Sequence, residues 1–116
     1  MTDASPPAGF DRRRYERVPM PPRGGPVSVV GARLVNVSPQ GMLIESLVPL
    51  ERDAHMNFRL SITGEKVDVE ARVAACSLLS TGKRKIFGVG LEFTAMPHAA
   101  RQRLVEALAA TIAKST

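Results

Sequence analysis

Between Met56 and Val73 the chain alternates apolar and polar residues on both sides of one polar break. Met56, Phe58, Leu60 and Ile62 lead into Thr63-Gly64-Glu65-Lys66, and Val67, Val69, Ala71 and Val73 lead out. A period of two places every apolar side chain on one face of a strand, and a polar Gly-containing break between two such runs reads as a hairpin. The apolar face of that hairpin must be covered, so the domain has to be built around a sheet. The alternation returns in Phe87, Val89, Leu91 and Phe93. Val27, Val29 and the run Ala32 to Val37 read as a first strand. Asn36-Val37-Ser38-Pro39-Gln40-Gly41 supplies turn chemistry before Met42-Leu43-Ile44 resumes. Ala74 to Leu79 forms a further apolar segment that reaches a turn at Ser80-Thr81-Gly82-Lys83-Arg84. Strands therefore fill most of residues 27–93.

The C-terminus changes period. Pro97 suits a first helical turn, and Ala100, Leu104, Val105, Leu108 and Ile112 recur at three- and four-residue spacing, which predicts one amphipathic helix over 97–114. With 116 residues there is room for one core. Several short strands and one helix make this a mainly β domain, a barrel or sandwich, with the helix against one end or flank. The lone Cys76 lies among apolar residues and reads as a small packed hydrophobe rather than half of a disulfide. No apolar run approaches the ~18–20 residues of a membrane span, and the first 26 residues hold no signal-peptide apolar core. The expectation is a domain of the reducing cytoplasm without membrane insertion.

Charge is unevenly placed. The chain carries 16 Lys+Arg against 11 Asp+Glu, but residues 12–23 hold five arginines (Arg12, Arg13, Arg14, Arg17, Arg23) and a single acid, Glu16. The remainder is nearly neutral, so the basic character belongs to one local, anion-seeking segment. Residues 1–11 have no apolar period and are expected to be a disordered tail. Residues 12–26, rich in arginine and punctuated by Pro19, Pro21, Pro22 and Pro26, are expected to form a flexible arm.

Two motifs carry chemistry. Arg13-Arg14-Tyr15-Glu16-Arg17 has R-x-x-x-R spacing, with Arg12 in front of it. Guanidinium groups form paired, planar hydrogen bonds to phosphate oxygens and to the O6/N7 edge of guanine, and they stack on bases. By itself the spacing also fits a solvated basic tail. Asn36, Ser38 and Gly41 form an N-x-S-x-x-G element between two strands, where Asn and Ser can satisfy backbone groups and Gly41 is free to adopt positive φ. By itself this too is a well-made loop.

The order of the two motifs, followed by Phe87-Gly88-Val89-Gly90-Leu91-Glu92-Phe93, resembles the PilZ family over residues 12–112. That resemblance implies a six-stranded antiparallel β-barrel with a C-terminal α-helix, and a receptor for cyclic di-GMP, an anionic second messenger with two guanines and two phosphates. Carried over, Arg12, Arg13 and Arg17 would grip phosphates and guanine edges, and Asn36, Ser38 and Gly41 would form the opposing wall. Arg14 and Gly90 are further ligand-binding candidates. Asn36 departs from an aspartate alternative, offering one acceptor and one donor group where a carboxylate offers two acceptors. The resemblance also implies an unidentified downstream partner protein.

Other constellations are bland. His55 and His98 stand apart from each other and from Cys76, so no metal or other cofactor is expected. Gly88-Val89-Gly90 lies in a strand pattern and reads as close backbone packing rather than a dinucleotide loop. No Ser/His/Asp or Cys/His arrangement is evident, which argues against an enzyme. Two alternatives stand beside the receptor. One is a PilZ-like protein-interaction module that binds no ligand. The other is a small basic barrel binding single-stranded nucleic acid, which the alternating, core-facing positions of Phe58, Phe87 and Phe93 argue against.

Overall fold

The computed structural model describes residues 17–80 and 82–115. The expected tail over 1–11 and the arginines at 12, 13 and 14 lie outside the described residues. Seven strands are present: β1 (Val18–Pro19), β2 (Val27–Val29), β3 (Arg33–Ser38), β4 (Gly41–Ser46), β5 (His55–Ile62), β6 (Glu65–Ser80) and β7 (Ile86–Ala95). One helix, α1 (His98–Ser115), follows. The strands form one antiparallel sheet in the order β1-β3-β4-β7-β6-β5-β2, curled into a half-barrel. This replaces the expected six-stranded barrel.

Two local features redraw the strand boundaries without changing their number, and β1 supplies the seventh strand. The run Val27–Val37 is not one strand, because the chain reverses at Val30-Gly31, where Gly31 has φ 89°. The two halves then take different neighbours, β2 pairing with β5 and β3 with both β1 and β4. Conversely, Ala74–Leu79 is no separate strand. It continues β6, which bends through register shifts between Glu70 and Ala71, Val73 and Ala75, and Leu78 and Ser80. Such bulges let one long strand follow a curved sheet.

β1 is the element that the proline-rich composition concealed. Val18 and Pro19 pair with Val37 and Asn36, and the Met20 N–H donates to the Val35 carbonyl at 2.9 Å. Val18 and Met20 are buried. Pro19 is tolerated because β1 is an edge strand.

The hairpin expected from the alternation is present with a tighter turn. Ile62 pairs with Glu65 and Ser61 with Lys66, leaving Thr63-Gly64 as a two-residue loop. Both loop residues have positive φ, 49° and 92°, the geometry whose twist matches the flanking strands. The core lies on the concave face: Leu34, Val37, Met42, Ile44, Leu60, Ile62, Val69, Val73, Val89 and Leu91 are buried there. Leu104, Ala107 and Leu108 of α1 join it. Cys76 packs against this core as expected of a small hydrophobe.

The helix covers one end of the half-barrel. Arg101 donates from Nη1 to the Pro39 carbonyl in the β3–β4 turn, and Arg103 Nε faces Glu65 Oε1 at 3.2 Å beside the β5–β6 turn. The described helix is not long and apolar enough to cross a membrane.

Candidate functional site

The β1–β3 register joins the two sequence motifs. With Val18 opposite Val37 and Pro19 opposite Asn36, Arg17 is carried to the edge of the N-x-S-x-x-G loop. Arg17 Nη1 donates to Asn36 Oδ1 at 3.1 Å, and the contact is exposed. A guanidinium only donates, so the amide oxygen of Asn36 must face it and the amide NH2 group points elsewhere. The Asn36 side chain therefore presents donors to solvent, complementary to a phosphate oxygen or to guanine O6/N7.

Ser38 and Gly41 do different work. Ser38 is 3% exposed, and its Oγ accepts the Gln40 N–H at 3.1 Å, which closes the turn. The Phe93 N–H donates to the Gln40 carbonyl at 2.8 Å, and Arg101 holds the Pro39 carbonyl. Both outward carbonyls of the turn are thus engaged. Gly41 does not use the positive φ expected of it. It is glycine because a Cβ at this position would overlap the Leu91 carbonyl oxygen of β7. The requirement is close strand approach rather than turn conformation.

A cross-strand row on the convex face runs Pro19, Asn36, Leu43, Gly90, Ala75. The expectation of close packing at Gly88-Val89-Gly90 holds at Gly88, where an added Cβ would meet the Leu79 side chain at 3.0 Å. It fails at Gly90, where the nearest atom would be Ala75 Cβ at 3.9 Å, an ordinary contact. Sterics do not demand glycine there, so its missing side chain leaves a shallow floor between Leu43 and Ala75.

The adjoining row runs Ser38, Gly41, Glu92, Arg72. Arg72 is held by Asp53 Oδ1 at 2.7 Å and Glu92 Oε1 at 2.9 Å. The Glu92 and Asp53 carboxylates push its ionisation further above the ordinary arginine range, Glu92 having the larger effect. Arg72 is therefore committed to acids of its own chain, and Arg17 is the described arginine at the loop with an exposed guanidinium. A second groove, lined by Asn57, Asp68 and Glu70 near Met96, is acidic and ill suited to an anion. Among the described residues no cluster of three His, Cys, Asp or Glu side chains could hold a metal ion.

Of the residues expected at the site, Arg17, Asn36, Ser38 and Gly41 come together, with Gly90 one strand further on the same face. Arg12, Arg13 and Arg14 are outside the described residues. Sequence reasoning missed Arg101, although a signal exists. A cation near a helix N-terminus opposes the helix dipole, which suggests that a specific acceptor holds it there.

Comparison with known proteins agrees with this architecture. The PilZ domain family model matches residues 11–110, and the chain belongs to the PilZ family. Among solved structures it is similar to the complex of MrkH from K. pneumonia with c-di-GMP, at 16% identity and a TM-score of 0.72, covering 90% of this chain and 54% of MrkH. The chain thus spans about half of the MrkH chain. It is also similar to the PilZ domain of YcgR from Escherichia coli, solved with c-di-GMP, at 17% identity and a TM-score of 0.63, covering 90% of this chain and 96% of that one. No curated protein sequence matches the chain.

Proposed function

We propose that this protein is a receptor for cyclic di-GMP, held between the arginines of the arm (Arg12, Arg13, Arg17) and the convex face of β3, β4 and β7. The observation that carries this reading is the β1–β3 register, which brings Arg17 within 3.1 Å of Asn36 and so unites two motifs 19 residues apart. Family membership and two structural neighbours solved with c-di-GMP support the choice of ligand. Arg17 and Asn36 offer donors to phosphate and guanine acceptors. Ser38 and Gly41 act by holding the turn, and the bare floor at Gly90 admits a flat base. Arg14 adds charge to the arm.

Ligand binding brings the arginines ahead of β1 against the sheet and alters a surface that a downstream protein reads. The reading places the receptor in the cytoplasm, where its ligand is made. A nucleic-acid-binding barrel fits less well, because Phe58 and Phe87 pack against the core and Phe93 lies within it.

Isothermal titration with cyclic di-GMP, with GTP and cyclic di-AMP as controls, tests the proposal. Saturable binding of cyclic di-GMP alone is the expected result. Absence of heat, together with unchanged amide shifts at Arg17 and Asn36, would leave a protein-interaction module that binds no nucleotide.

A further inference from the structure

The end of the sheet away from α1 carries exposed apolar side chains that neither the core nor the ligand site uses. Among the described residues, seven large hydrophobic side chains are exposed, and five of them belong to this end: Val30, Leu47, Val48, Leu78 and Leu79. They come from three separate places: the β2–β3 turn (Val30), the loop after β4 (Leu47, Val48) and the last residues of β6 (Leu78, Leu79). Leu47 and Val48 line a groove of about 430 Å³, whose apolar floor is completed by Ala32 and Ile86. Arg33 and Glu45 on its rim neutralise each other at 3.0 Å. Clustered exposed aliphatics around a concavity mark an interaction site more often than a packing accident.

Charge specifies the occupant. Ile86 in the groove directly follows Lys83, Arg84 and Lys85, which are exposed and form no ion pair among the described residues. A second copy of this chain is disfavoured, because a twofold contact would press two such cationic turns together. A bilayer is disfavoured too. Leu78 and Leu79 sit behind the charged turn, so their insertion would bury the cations first, and a groove receives a side chain better than a flat surface does. We propose that this open end docks an acidic protein segment bearing a projecting apolar side chain, the anchor entering the groove and the acids pairing with Lys83, Arg84 and Lys85.

This deepens the receptor reading by naming where an output partner sits, but the test is made on the ligand-free chain, so the two stand or fall separately. A displayed library of random short peptides is selected on the purified full chain, and the winners are measured by fluorescence anisotropy. The expected winners pair aspartate or glutamate with an aliphatic or aromatic residue. Their affinity should fall roughly tenfold or more on combined Lys83→Glu, Arg84→Glu and Lys85→Glu replacement, and likewise on Val48→Asp. Val105→Asp, at an exposed apolar site on α1, should leave binding unchanged.

Winners without acids, or equal binding by the charge-reversed protein with an unaltered melting curve, would overturn the proposal. So would retention on phosphatidylserine vesicles that depends on Leu78 and Leu79, or dimerisation in sedimentation that Val48→Asp abolishes. Adding cyclic di-GMP afterwards asks whether the ligand changes peptide affinity. A flat response there rejects the coupling and leaves the docking site standing.

Discussion

At the helix-covered end of the half-barrel, the Pro39-Gln40 turn has its carbonyls engaged by Arg101 and Phe93, and its glycine is pressed against the β7 backbone. At the opposite end, Leu47, Val48 and Leu79 stand 57–62% exposed, and three consecutive cations have no acidic partner among the described residues. The sheet is continuous between them, so backbone architecture does not explain the contrast. One end is preorganised, which lowers the ordering cost of binding a small rigid ligand. The other has local hydrogen bonds, with Ser46 Oγ accepting the Val48 N–H at 3.1 Å and donating to the Val48 carbonyl at 2.7 Å, but leaves its apolar side chains uncovered.

The largest effect should come from adding a side chain where the ordered end has no room. Gly41→Val forces β4 away from the Leu91 carbonyl and is expected to destabilise the domain by roughly 3 kcal/mol or more in urea denaturation. Near-normal stability would show that the close approach is not a constraint. Arg101→Ala strands the buried Pro39 carbonyl and should cost about 1–3 kcal/mol, and it should also weaken cyclic di-GMP binding by loosening the turn. Loss of stability without loss of affinity would separate the helix from the site.

Arg17→Ala sharpens the comparison differently. Its effect should fall on affinity, by about 1–3 kcal/mol or roughly 5- to 150-fold, with little change in melting temperature. At the open end, Leu79→Ser should change stability by no more than about 0.5 kcal/mol, since the side chain is largely in water already. A marked loss would mean that this end is structural after all.

The smallest effect concerns the flank. Arg59 beside Asp68, at 2.9 Å, holds the aspartate's ionisation below the usual carboxylate range, the hydrogen bond contributing most. A depressed folded-state value means that its stabilisation is fully present above the ordinary aspartate range and is lost as pH falls through the lowered folded value. Asp68→Asn should remove this part of the acid dependence. Because the pair is exposed, the change is slight and should vanish in high salt.

The core was legible because burial on one face leaves a period of two in the sequence, and Leu60, Ile62, Val69 and Val73 obey it. The break at Val30-Gly31 was harder, because Gly31 is a single residue whose positive φ reverses the chain inside an apolar run. β1 escaped notice because prolines mask two buried residues, Val18 and Met20, and an edge strand needs only one side of its backbone. At the site, Arg17 and Asn36 were legible from motif order, but their contact depends on a strand pairing that no local pattern encodes. Arg101 reaches a carbonyl 62 residues away, and that distance is settled only by tertiary packing.

The brevity of β1 has a kinetic consequence. Two register pairs, one Met20 hydrogen bond and two buried side chains fasten the arm to the sheet. Each buried aliphatic is worth about 1.5–3 kcal/mol at most. Releasing this latch therefore takes much less energy than opening the β6–β7 core. Amide protons at residues 18 and 20 should exchange with solvent through a local opening, while those of Val73 and Leu91 wait for global unfolding. The arm can thus detach and return many times within the lifetime of a single folded molecule.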